Sequence, residues 1–202
     1  MKKVFFTSMG LMSGTSMDGI DLSLIKSDGY DEYTSILDNY HEFNHELRKN
    51  LIDLRNKIIT TDDLKKNAKE ISDFEIEFTL FIAQIIKKTL KDYKNQVDII
   101  GFHGQTIFHK PDEKVTKQLG DGKLLSQITK KIVVNDFRQQ DILNEGQGAP
   151  LTPIFHSLIS KYLEKKHNLI FPLNIINIGG ITNITKIYKE HSSIKQNLCA
   201  FD

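Results

Sequence analysis

The stretch Gly10-Leu-Met-Ser-Gly-Thr-Ser-Met-Asp-Gly-Ile-Asp21 carries the densest set of groups able to do chemistry. Gly14 and Gly19 let the backbone come close to a ligand. Ser13, Thr15 and Ser16 offer hydroxyl donors, and successive N–H groups in such a turn form an anion-binding nest. The combination suits a phosphate. The Gly14-to-Gly19 spacing imitates half of a Walker loop, but Ile20 and Asp21 stand where its Lys and Ser/Thr would be. Asp18 and Asp21 would repel a bare polyphosphate, and a divalent cation between them removes that conflict. The stretch reads either as a metal–nucleotide loop or as an ordinary Ser/Gly hairpin.

Two further polar clusters follow short apolar runs. His103-Gly-Gln105-Thr106 comes after Val97–Phe102, and Asn135-Asp136-Phe-Arg138 after Ile132–Val134. Open α/β sheets bind ligands at such strand ends. His103 is either a ligand-facing or a satisfied core histidine, and with His109 it makes only a weak metal pattern lacking a third ligand. Asp136 is a general-base candidate, an ion-pair partner of Arg138 or a helix cap. Gly146-Gln147-Gly-Ala-Pro150 and Asn177-Ile-Gly179-Gly180 are further glycine turns.

The elements that must position these groups follow from the pattern. Val4–Phe6 and the alternation of Ile20, Leu22 and Leu24 predict a hairpin bent at Asp18-Gly19. Tyr33–Phe43 predicts a third strand, and Leu47, Leu51, Leu54 and Ile58 a helix over 44–58. A long helix capped by Thr61 or Asp62 runs to about Tyr93, with a core stripe from Leu64 to Leu90. Val97–Phe102 and Ile132–Val134 read as buried strands, with a turn at Leu119–Gly122 and a short helix at Lys123–Lys131 between them. Thr152–Lys165 reads as a helix with Pro153 in its first turn behind a Thr cap. Leu173–Ile178 and Ile181–Ile187 form a second hairpin, and Leu198–Asp202 a strand barely begun.

Composition narrows the partners. The 202 residues are 39% hydrophobic and 26% charged, as in an ordinary globular chain, and the net charge of +1 gives no electrostatic case for nucleic acid or an anionic membrane. Neither is expected as a partner. The single Cys199 excludes an intramolecular disulfide and fits a reducing compartment. Lys2-Lys3 before Val4-Phe5-Phe6 lacks the apolar length and cleavage site of a signal peptide, and no stretch spans a bilayer, so a cytoplasmic location is expected.

Taken in order, MSGTSMDGID, GFHGQT, NDFR, EGQGAPL and NIGGITN strongly resemble the motifs of the anhydro-N-acetylmuramic acid kinases, from Gly10 to Asp202. The resemblance implies an α/β, actin-like ATPase (ribonuclease H-like) fold, the group of sugar kinases, Hsp70 and actin, in which two lobes close over ATP. It implies a first lobe over residues 1–150 and the start of a second over 151–202. The chain is then expected to be truncated, without most of the second lobe and the adenine pocket. Glu145 and Thr182 depart from the family's usual Gly and Ala.

The resemblance also implies roles. Gly14, Thr15, Ser16, Met17, Asp18, Gly19, Ile20 and Asp21 would form the first phosphate loop, with Asp18 and Asp21 placing Mg2+. Gly179 and Gly180 would belong to the second loop. Asp136 would be the catalytic base, with His103, Gln105, Arg138 and Gln147 at the sugar. The implied reaction is ATP-dependent conversion of 1,6-anhydro-N-acetylmuramic acid to N-acetylmuramic acid 6-phosphate in cell-wall recycling. The implied partners are the amino sugar and ATP, with a homodimer or a separate chain supplying the missing lobe. Two other readings stay open: a catalytically silent lobe that binds sugar or a partner, and a structural lobe without a ligand.

Overall fold

Alternating burial sets the first strands. In β1 (Phe6–Ser13) the side chains of Met9, Leu11 and Ser13 are buried, and in β2 (Gly19–Ser27) those of Ile20, Leu22 and Leu24. The computed structural model describes residues 3–94, 96–179, 181–188 and 199–201, and the chain divides into two compact units after Gly146. In the first unit β1, β2 and β3 (Tyr33–Glu42) form an antiparallel meander, and β4 (Ile99–Lys110) lies parallel to β1 on its other side. The sheet order is β3-β2-β1-β4, with β5 (Val115–Leu119) and β6 (Ile132–Asn135) both paired to β4. This mixed sheet with its helices is the α/β arrangement that the resemblance implies for a first lobe.

The helices α1 (His45–Lys57) and α3 (Ala68–Asp92) supply the other half of the core. Leu47, Leu51 and Leu54 of α1 and Phe74, Phe78, Ile82 and Ile86 of α3 recur at helical spacing and join Leu22, Leu24, Ile100 and Phe102 of the sheet. Phe78 meets Phe43 edge-on at 6.0 Å and stacks on Phe102 at 6.5 Å. Truncating such a buried ring typically costs about 3–5 kcal/mol. Asn44 starts α1, its side chain accepting from Leu47 N at 2.8 Å.

Several expectations change. The long helix is two, α2 (Thr61–Lys66) and α3, because Asn67 breaks the run and its amide donates back to Asp63 O. Its cap is Thr60, in a capping box with Asp63. The first hairpin bends at Asp18 but is not a two-residue turn at Asp18-Gly19. The loop is residues 14–18, the left-handed position falls on Met17 (φ 50), and Gly19 already lies in β2. Gly19 is small for another reason: a Cβ there would sit 2.5 Å from the Tyr40 ring and 2.6 Å from His41 O.

His103-Gly-Gln-Thr106 does not follow a strand but lies within one. The first half of β4 pairs parallel with β6, ending at Phe102↔Asn135, and the second half pairs antiparallel with β5, starting at Gln105↔Leu119. The exchange of partners falls on His103 and Gly104, so the strand continues where the pattern ends. β6 is not buried either. It pairs only along β4 among the described residues, and Ile132 and Val134 are exposed.

In the second unit α6 (Pro153–His167) accompanies an antiparallel sheet of β7 (Leu173–Asn177), β8 (Asn183–Ile187) and β9 (Cys199–Phe201). Pro153 opens α6 as expected, but Thr152 makes no side-chain cap bond. His156 Nδ1 instead meets the buried Thr185 hydroxyl of β8 at 2.8 Å, and Ser160 Oγ donates to His156 O at 2.8 Å. No helix among the described residues is long and apolar enough to cross a membrane.

Gly104 sets a testable constraint. Its φ is +76, and a Cβ would lie 2.2 Å from the Leu119 carbonyl oxygen. Gly104→Ala therefore meets both left-handed strain and a backbone clash. It should lower stability by more than about 2 kcal/mol, read from the shift in urea midpoint at unchanged slope.

Candidate functional site

In the first unit a polar groove of about 390 Å³ opens beside the switch in β4. His103, Asn135 and Asp136 line one part of it, and Glu75, Lys117, Gln118 and Asp121 another. The second group comes from α3, from β5 and from the turn before α4 (Gly122–Thr129). That turn is pinned by the protein. Glu75 Oε1 accepts from Lys117 Nζ at 2.7 Å and Gly120 N at 3.0 Å, Thr79 Oγ1 accepts from Asp121 N at 2.9 Å, and Asp121 Oδ1 caps α4 through Leu124 N at 2.9 Å. Carboxylates, amides and an ammonium group around one groove suit a ligand rich in hydroxyl and amide groups.

His103 has a defined role. Arg138 Nε donates to its Nε2 at 2.8 Å, so Nε2 must carry the lone pair, and Nδ1–H donates to Gly104 O at 2.7 Å. Burial, with the Arg138 charge adding to it, lowers the His103 pKa from 6.5 to about 4, while the Gly104 carbonyl opposes the shift. The imidazole is therefore neutral near pH 7 and orients the Arg138 side chain on α5 (Phe137–Leu143).

Asp136 lies at the N-terminus of α5 in a left-handed conformation, φ 63 and ψ 34. Its side chain makes no cap bond, and among the described residues it forms no ion pair with Arg138. Both structural readings of this carboxylate are absent, and it is exposed at the groove.

The 14–18 loop is organised from below. Gly14 O accepts from Gln105 Nε2 at 3.1 Å and Met17 N at 3.2 Å, Asp18 O from Phe43 N at 2.8 Å, and Gly19 O from Ser13 Oγ at 2.8 Å. Thr15 and Ser16 are exposed, and no acceptor takes their N–H groups among the described residues. Of the residues expected at the nucleotide, Met17, Gly19 and Ile20 are buried anchors, while Gly14, Thr15, Ser16, Asp18 and Asp21 reach the surface.

Asp18 is held below the usual carboxylate range, first by the Ser16 hydroxyl at 2.6 Å, then by its own and the Gly19 N–H and by Arg48, against the effect of burial. Partial desolvation and the carboxylates of Asp18, Glu42 and Asp21 push the Tyr40 hydroxyl up. The loop and the adjoining strands thus carry a negative field of hard oxygen donors, which fits a divalent cation shared with phosphate oxygens. Among the described residues no three His, Cys, Asp or Glu side chains are grouped to hold a metal by themselves.

Gln105 is fully buried and its amide is spent on the loop, so it does not face the groove. Gln147 is exposed at the start of the second unit. Gly179 is exposed in the 178–182 loop between β7 and β8, and Gly180 lies outside the described residues. Glu75, Lys117 and Gln118 were not foreseen. Three successive polar residues in Val115-Thr-Lys-Gln-Leu119 hide β5 from an alternation test, and Glu75 is one of several acidic residues on α3 with nothing local to single it out.

The anhydro-N-acetylmuramic acid kinase family model matches residues 6–198. The chain is 49% identical over 198 residues to the anhydro-N-acetylmuramic acid kinase of Pelagibacter ubique (strain HTCC1062), covering 98% of this chain and 51% of that one. It is 38% identical over 188 residues to the enzyme of that name from Agrobacterium fabrum, covering 90% and 49%. It is 40% identical over 189 residues to the one from Rhizobium etli, covering 90% and 49%. The chain spans about half the length of the curated relatives it matches.

The His103 pKa gives a pH test. Unfolded, the imidazole titrates at its ordinary 6.5; folded, it resists protonation down to about 4. The unfolded state binds the extra proton in that window, so stability is full above it and is lost as pH falls through it. The shift corresponds to roughly 3 kcal/mol. His156 is shifted in the same direction, so the readout is a difference. Urea melts at stepped pH should show a shallower loss between 6.5 and about 4 in His103→Gln than in the wild type.

Proposed function

The chain belongs to the anhydro-N-acetylmuramic acid kinase family, and on that premise we propose that it forms the sugar site and first phosphate loop of an ATP-dependent kinase. The kinase acts on 1,6-anhydro-N-acetylmuramic acid in the cytoplasm and yields N-acetylmuramic acid 6-phosphate. The observation that carries this reading is Asp136: a carboxylate with no structural partner, in a left-handed conformation, at the rim of a polar groove.

Asp136 takes a proton from a water as that water attacks the anomeric carbon. The bond from this carbon to O6 breaks, and O6 leaves with the electron pair. O6 then attacks the γ-phosphorus of ATP, the bond to the β-phosphate oxygen breaks, and ADP departs. One water and one ATP are consumed, and the proton on Asp136 returns to solvent. Positioned base catalysis of this kind is typically worth about 10²–10⁴.

The remaining residues position the reactants. His103 stays neutral and orients Arg138 beside the groove. The N–H groups of Thr15 and Ser16 receive phosphate oxygens, where backbone donors stabilise developing charge at no cost of reorganisation. Asp18 and Asp21 would hold a magnesium ion, which when bound supplies neutralisation of phosphate charge. Gln147 and the 178–182 loop, with Gly179 and Gly180, extend the same reading to the second unit on the strength of the family motifs.

Asp136→Asn tests the proposal cleanly, because Asn tolerates the left-handed conformation as well as Asp does. Sugar-dependent release of ADP should fall at least about 10³-fold, with sugar affinity within about twofold and an unchanged melting temperature. The assay is run on the chain joined to the second half that its relatives carry: a fully active variant removes the base assignment, and a wild type that releases ADP no faster with the sugar than without it overturns the reading. Asp18→Asn should weaken magnesium-dependent nucleotide binding by about threefold to tenfold while leaving magnesium-free binding unchanged.

A further inference from the structure

We infer that Gln105 is a positioning residue for the phosphate loop, turning the loop's carbonyls inward so that its amides face the nucleotide, and that it makes no contact with the sugar. The inference rests on the kinase reading and narrows the role of this residue within it. Gln105 is completely buried in β4, next to the switch at His103 and Gly104. Its Oε1 receives the Ser13 hydroxyl at 2.6 Å, and its Nε2 donates to Gly14 O at 3.1 Å and Thr106 O at 3.3 Å. Three of its four hydrogen-bonding positions are therefore used, and two partners are the residues from which the loop departs.

The observed orientation of the amide satisfies more partners than the alternative. Flipping it would aim Oε1 at two carbonyl oxygens, an arrangement with no proton between acceptors. Ser13 completes the frame, because the same hydroxyl also lies 2.8 Å from Gly19 O, at the loop's other end. The hydroxyl carries one proton, which goes to Oε1 or to Gly19 O but not to both, so the fixed tie between the loop and β4 is the Nε2 donor on Gly14 O. With the Gly14 carbonyl drawn toward β4, the N–H groups of Thr15 and Ser16 are left for an outside acceptor. Without the Nε2 donor, the Gly14 carbonyl loses a buried partner and gains by turning outward to water. A carbonyl there opposes an anion instead of receiving it.

Gln105 also explains a feature of β4 that the groove alone does not. His103 serves the groove and Gln105 the loop, two residues apart on one strand, with the Gly104 bend between them. The sugar side and the phosphate side of the first unit share a single strand as their reference frame.

The test uses Gln105→Met, which keeps length and volume but removes both hydrogen-bonding groups, and Gln105→Glu, which keeps the acceptor for Ser13 and loses the donor. Affinities for ATP with Mg2+ and for 1,6-anhydro-N-acetylmuramic acid are measured on the same preparations of the full chain, beside melting curves. Gln105→Met should bind ATP about tenfold more weakly, with sugar affinity within about twofold. Gln105→Glu should show the same loss at about pH 8 and recover as pH falls, because burial raises the carboxyl pKa and the protonated acid regains a donor for Gly14 O. Unchanged ATP affinity in folded Gln105→Met, or equal loss of both affinities, overturns the inference. Should these residues alone bind no ATP in the wild type, amide exchange decides the positioning role separately from the kinase reading. The Met17 amide, which donates to Gly14 O, should then exchange faster in Gln105→Met while β2 and β3 are unaffected, and identical exchange throughout overturns the inference.

Discussion

A strand can pair with only one neighbour along each edge at a given residue, and β4 uses that limit twice. Along one edge it holds β1. Along the other it holds β6 as far as Phe102 and β5 from Gln105 onward. Between the two partners the backbone must bend, and Gly104 at φ +76, pressed against the Leu119 carbonyl, is where it does so. Everything distinctive in the first unit depends on that bend. It aims His103 into the groove, keeps Gln105 under the loop, and brings the Gly120–Gly122 turn beside Asn135 and Asp136.

The groove and the loop are built by different physics. The groove's wall is held by charge-assisted bonds from Glu75 to Lys117 and to Gly120 N, which are stronger than neutral pairs and keep a polar surface rigid. The loop is held by neutral bonds from fully buried groups, Ser13 and Gln105, where a missing partner costs more than the bond itself contributes. Neutral donors beneath the loop shape its backbone without adding charge of their own, whereas the groove's wall carries fixed charge.

Much of this was legible in the sequence. The five motifs, the helical stripe of α3 and the hairpin strands follow from periodicity and glycine placement, and the family follows from the motifs in register. What was not legible depends on contacts distant in sequence. No local pattern reveals that His103-Gly-Gln-Thr106 continues a strand, since the reason is the change of partner from β6 to β5. That Gly19 is small for the sake of a ring, Tyr40, on the third strand and not for a turn is likewise a contact distant in sequence. Glu75 reads as one more polar residue of an amphipathic helix until the turn after β5 folds onto it. Ile132 and Val134 look like core because β-branched runs usually are, but an edge strand leaves them exposed.

The backbone of Asp136 completes the argument. A non-glycine residue at φ 63 carries a cost of about 1 kcal/mol, least for Asn and Asp, and such a conformation persists only where its surroundings demand it. Here neither of the ordinary compensations is present, since the carboxylate neither caps α5 nor pairs with Arg138. Arg138 is instead committed through Nε to a histidine that stays neutral near pH 7. Around one groove the strand switch thus places an exposed carboxylate, Asp136, and a buried neutral imidazole, His103, that orients Arg138 on the first turn of α5.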